Sequence, residues 1–206
     1  MSPKSAALRI PDLHRSAFWI YGITATVMKD PFGLVLRHAS IAGWDDPSVQ
    51  QEALRTLAVL VLMARQFLAA GIYFDRVYLA PESAERFPLR NYPFDFLFGL
   101  TELLFAVANS VIVAVPNLFF DVLAALNLLS ETAWLVASKA ANYSTLRMIA
   151  PGAQITAGIF VLSAVARLVA GESVAVSVLL ALCFLHIGWM IWRYNRTEAE
   201  TVFKRT

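Results

Sequence analysis

The chain has 206 residues, of which 58% are hydrophobic and only 16% charged, with a mean hydropathy of +0.60. Soluble domains carry about 25% charged residues, so this balance excludes an ordinary soluble domain and points to the membrane class. A net charge of +2 without any Lys/Arg run argues against a nucleic-acid partner, and the single cysteine, Cys183, excludes intrachain disulfides, CxxC chemistry and cysteine-built metal sites.

Residues 1–16 mix Lys4, Arg9 and Arg15 with Pro3 and Pro11 and read as a polar leader. The apolar run 17–28 that follows is broken by Gly22, Thr24 and Thr26, and no small-residue cleavage pattern comes after it, so it does not read as a signal peptide. It is also short of the roughly 20 residues that cross a hydrocarbon core. Trp19 and Tyr21 at one end and Lys29 at the other leave two readings open, an interfacial helix or a marginal sixth span. Residues 29–46 hold Pro31, Gly33 and Gly43 and are read as a turn-rich connector, ending at Asp46 as helix cap and Pro47 as first helical residue.

Five clear spans are then expected. The first lies within a helix over 47–79, the second is 92–115, the third 117–141, the fourth 151–170 and the fifth 173–196. Val115-Pro116-Asn117 joins the second to the third, and Gly171 caps the fourth. The expected fold class is thus all-α, a polytopic integral membrane helical bundle, organised as an N-terminal leader (1–46), the bundle (47–196) and a tail (197–206). Arg86, Arg90, Lys139, Arg147, Arg193, Arg196, Lys204 and Arg205 all fall on one set of loops or the tail, whereas the turns at Pro116 and at Gly171-Glu172 carry no Lys or Arg. By the positive-inside rule the charged loops and the C-terminus are cytoplasmic, and the expected location is a multi-pass place in a membrane resembling a bacterial inner membrane.

The spans carry polar groups that a lipid-facing helix should not. Counting 1.5 Å per residue, Glu102, Glu131 and His186 each lie roughly 15 Å from the inner boundary, with Arg65 and Asn127 about one turn further out. A charge at a helix centre costs about 2.5 to 3.5 kcal/mol on insertion scales, so these side chains are expected to face the bundle interior, a water-filled cavity or a partner. One reading makes Glu102, Glu131 and His186, with Arg65 and Asn127, a proton or cation pathway. The other makes Arg65 an ion-pair partner of the glutamates that fixes helix register, with Asn127 and His186 as interhelical hydrogen-bond partners. Asp95 and Asp121 read as interface residues or caps, Arg167 as a side chain that snorkels to headgroups, and Cys183 as a small core or lipid-facing residue.

No HExxH, GxSxG, Walker or glycine-rich dinucleotide motif occurs, so no catalytic residue, metal or cofactor is assigned and a non-enzymatic role is expected. The function expected from these features is a small channel, transporter or pore-type effector moving protons or small cations, with the lipid bilayer and further copies of the chain as partners. The alternative is a non-catalytic scaffold or accessory subunit of a larger membrane complex.

Overall fold

The computed structural model describes residues 22, 26, 29–74, 107–108, 118–140 and 146–203. Among the described residues there are five long helices and no strand: α1 (Lys29–Ala42), α2 (Pro47–Phe74), α3 (Phe119–Ala140), α4 (Leu146–Ala170) and α5 (Glu172–Phe203). The expected second span at 92–115, with Asp95 and Glu102, lies outside the described residues, as do the leader and most of the run 17–28.

Residues 29–42 are helical where the sequence reading has a connector, because their breaker residues stand where they cost little. Pro31 is the third residue of α1, in the first turn, whose N–H groups have no intrahelical acceptor anyway. Gly43 follows the last turn at φ 87, and its N–H donates to the Ala39 carbonyl at 2.9 Å, closing the helix as a left-handed cap. Pro31, Val35 and Ala39, spaced by four, form the stripe buried against α2.

The start of α2 follows the expected signal. The Asp46 carboxylate accepts from the Ser48 N–H at 2.8 Å and from the Ser48 hydroxyl, with Pro47 as the first helical residue. These bonds, the hydroxyl's first, hold the Asp46 carboxyl below its usual range. A depressed folded-state pKa means that the cap stabilises α2 above the unfolded-state value of about 3.9. That contribution is lost as pH falls through the lower folded-state value. Asp46→Ala is therefore expected to reduce hydrogen-exchange protection of the Ser48 amide near neutral pH and to leave it unchanged in strong acid. An equal effect at both pH values would contradict the capping account.

Two other boundaries shift. Helix α4 begins at Leu146, so Pro151 lies inside it rather than at its start, leaving the Arg147 carbonyl without an intrahelical N–H. Helices α4 and α5 are separated by Gly171 alone. Its φ of 88 lets its N–H close α4 on the Arg167 carbonyl at 2.9 Å, while its own carbonyl accepts from the Ala175 N–H at 3.2 Å and opens α5. A side chain at that φ would meet its own backbone, which is why glycine occupies the corner.

Helix α5 is the centre of the packing, in contact chiefly with α2 and α4, while α4 also carries α3. The buried side chains where they meet include Leu62, Phe119, Phe120, Leu123, Phe160, Val176 and Leu179. Ion pairs fix the helix directions. Arg55 near the start of α2 donates to Glu172 at the start of α5 at 3.1 Å, and Asp121 in the first turn of α3 pairs with Arg167 in the last turn of α4. The starts of α2, α3 and α5 therefore share one end of the bundle with the close of α4. Arg167 thus finds a partner within the protein, with its guanidinium 5.8 Å over the Phe120 ring, instead of reaching out to headgroups.

Two stretches of the described helices, Pro151–Ala170 and Glu172–Asn195, are long and apolar enough to cross a membrane. Five spans are expected from the sequence, and these two are the described helices that meet the criterion. Only 28% and 39% of their apolar windows are buried, unlike the core helix of a soluble domain. Leu168, Val169 and Leu185 are 88%, 82% and 70% exposed on that surface. Apolar helices that turn large aliphatic side chains outward point to a membrane protein.

Candidate functional site

The polar residues inside this apolar bundle converge on Arg65. Arginine is almost never fully buried without partners, and Arg65, at 4% exposure, sits in the middle of α2 among buried aliphatic neighbours such as Leu62. Its Nε donates to Nδ1 of His186 on α5 at 2.8 Å. A second guanidinium nitrogen donates to the Thr156 hydroxyl on α4 in a short hydrogen bond. The Thr156 hydroxyl in turn lies 3.0 Å from Oε1 of Glu131 on α3. A continuous line of side chains, His186–Arg65–Thr156–Glu131, therefore crosses four helices through the core.

Donor and acceptor chemistry constrains each link. A guanidinium only donates, so Nδ1 of His186 must present a lone pair and the ring proton must be on Nε2, which makes the imidazole neutral. The ring is further held by stacking on Trp189, one turn along α5, with centroids 5.7 Å apart.

Thr156 has one hydroxyl proton and two acceptors for it, Glu131 Oε1 at 3.0 Å and the Gly152 carbonyl at 2.9 Å. With Glu131 ionised, the hydroxyl donates to the carboxylate. With Glu131 protonated, the carboxylic acid can donate to the Thr156 oxygen while the hydroxyl turns to Gly152. Both protonation states of Glu131 are thus accommodated by rotation of one O–H.

Asn127 belongs to a second, separate bridge. Buried at 2% exposure and one turn from Glu131 on α3, it donates from Nδ2 to the Leu123 carbonyl at 2.8 Å and accepts at Oδ1 from Gln66 at 3.2 Å. Gln66 adjoins Arg65, so α2 meets α3 by a neutral amide pair beside the charged line. Of the five residues predicted for the pathway, Arg65, Glu131 and His186 are brought together, Asn127 lies alongside, and Glu102 is outside the described residues. Arg65 shares the level of His186 directly instead of lying a turn outward.

Sequence reasoning missed Thr156 and Gln66. Gln66 stands in an otherwise apolar stretch and was open to the same argument as Arg65. Thr156 gave no comparable signal, since a threonine in an apolar helix ordinarily returns its hydroxyl to the carbonyl four residues back, as it does here with Gly152. Cys183 is in the core, one turn before His186. Among the described residues, no group of three His, Cys, Asp or Glu side chains is placed to hold a metal ion. Comparison of the chain with family models, with curated proteins and with solved structures finds no match in any of the three.

Proposed function

We propose that this chain is a small multi-pass membrane protein of the channel, transporter or pore-type effector class, and that protons are what it moves. The observation that carries this reading is the line His186–Arg65–Thr156–Glu131, which places two titratable side chains and a rotating hydroxyl in contact across an apolar bundle. Ionisable groups at membrane depth are costly and mark ion pathways by default. A fixed guanidinium in mid-path opposes a metal cation, whereas protons can pass by exchange between Glu131 and the hydroxyl, so protons are favoured over small metal cations.

In this reading the bundle has five or six spans, with the basic loops and the C-terminus cytoplasmic, in a membrane resembling a bacterial inner membrane. A bundle of this length encloses only a narrow path, so a homo-oligomer with the path between or within protomers is the expected form. The direct check is proton flux: liposomes loaded with a pH-sensitive dye and containing the purified chain should acidify under an inward-negative diffusion potential. Dye signals equal to those of empty liposomes, from protein shown to be folded, would remove the transport reading.

A second reading has its own support. Every link of the line is also an interhelical tie, and the Gln66–Asn127 bridge adds one more, as expected of a rigid scaffold or accessory subunit. Native mass spectrometry separates the two, since a scaffold leaves detergent with other subunits and a pore leaves it as copies of itself.

A further inference from the structure

The contact between Arg65 and His186 joins the two helices that carry most of the packing, α2 and the central α5. It depends on a lone pair at Nδ1, because the arginine side has only donors to offer. A proton added at Nδ1 occupies that lone pair and turns the acceptor into a second N–H, facing a guanidinium of like charge. The imidazolium and the Arg65 contact are mutually exclusive.

We propose that His186 is a proton-operated latch: its protonation releases Arg65, and with it α2, from α5. The groups around it define where the released guanidinium goes. From α2 the ring faces Arg65; from α4 it meets no charged side chain among the described residues, only the Thr156 hydroxyl that Arg65 also holds; from α3 the charge is Glu131, reached through Thr156; on α5 itself the neighbours are Cys183 and Trp189. Arg65 keeps its bond to Thr156 when the His186 bond breaks. The guanidinium therefore stays with α3 and α4, whose carboxylate attracts it, and the opening is confined to the α2–α5 seam. Two-state contacts of this type are how histidines convert a proton into a change of packing. The latch operates whether or not the protein conducts protons.

The chain supplies its own reporter. Cys183 is its one cysteine, 1% exposed and one turn from His186, so its thiol is shielded while the seam is closed. The experiment uses the full chain in nanodiscs and a pyridyl disulfide reagent that reacts in acid as well as at neutral pH. Rates are expressed relative to a free-cysteine peptide at each pH, which removes the reagent's and the thiol's own titration. Modification of the wild type is expected to rise about tenfold between about pH 8 and about pH 4. In His186→Asn, whose carbonyl oxygen replaces Nδ1 as an acceptor that does not titrate, the rate should stay low throughout. In Arg65→Met it should be high throughout.

Matching pH profiles in wild type and His186→Asn would overturn the latch. Should His186→Asn fail to fold, nitrogen NMR of labelled histidine, in a background carrying His14→Gln and His38→Gln, decides on the His186 ring itself. The expected result is an Nε2–H tautomer at neutral pH, turning to imidazolium as Cys183 becomes reactive. A ring that stays neutral over the whole range, or becomes imidazolium while Cys183 stays shielded, contradicts the proposal.

Discussion

Arg65→Met is expected to lower the stability of the folded bundle by about 3 kcal/mol, read as a shift of the unfolding midpoint in mixed detergent micelles. Two effects compete. Removing a guanidinium from an apolar interior relieves a desolvation cost, and insertion scales put that at about 2.5 to 3.5 kcal/mol. That relief belongs mainly to the step of entering the membrane, since an inserted but unpacked α2 can still carry its arginine to water. The packing step instead loses two charge-assisted hydrogen bonds, each about 1.5 kcal/mol at the upper end of interhelical values. It also leaves the His186 Nδ1 lone pair without its donor and Glu131 without the charge next to its partner. The loss therefore wins. The variant Arg65→Met combined with His186→Phe should recover part of it, because an acceptor left without a donor costs more than a pair removed together. A loss below about 1 kcal/mol in the single variant would mean that the line carries little of the packing energy.

Thr156→Val should cut proton flux by at least about tenfold while costing only about 1 to 2 kcal/mol of stability. Valine keeps the shape of threonine and removes the one group through which Arg65 and Glu131 communicate. Thr156→Ser, which keeps the hydroxyl and loses a methyl group, should retain most of the flux. The two readings of the site diverge here, since a static tie predicts that both variants change stability in proportion to lost contacts and that neither changes a flux. Flux unaltered in Thr156→Val would exclude the hydroxyl from the route.

Features set by a few consecutive residues were legible in the sequence. Asp46-Pro47 opens α2 and Gly171 closes α4 as expected, because a cap or a left-handed residue is a local requirement that neighbouring helices do not alter. The depth argument was partly legible. A rise of 1.5 Å per residue correctly placed Glu131 and His186 at one level. It set Arg65 a turn too far out, since helix tilt and the reach of a long side chain do not appear in a residue count.

The misread stretch was 29–42, where Pro31 and Gly33 suggest a connector and only their positions within the turn show that a helix tolerates them. Arg167 was read as a lipid-facing snorkel because its partner, Asp121, is distant in sequence and was itself accounted for as a cap. Thr156 was illegible for a different reason. Its hydroxyl satisfies itself within its own helix, and its second role exists only once α2, α3 and α4 are packed together. Such long-range convergence is what a single sequence hides, even where each residue is noticed.

The central claim is that Glu131 is a working proton site at one end of a line through the bundle, and Glu131→Gln tests it most directly. Glutamine keeps an oxygen to accept from Thr156, so the fold is expected to hold, with an unfolding midpoint within about 1 kcal/mol of wild type. What it cannot do is take up and release a proton. The measurement is dye-reported proton flux in liposomes at matched protein density for wild type and Glu131→Gln. The expected result is potential-driven acidification by the wild type and none above empty liposomes by a folded Glu131→Gln. Equal flux from the two proteins, or no flux from either, would contradict the account.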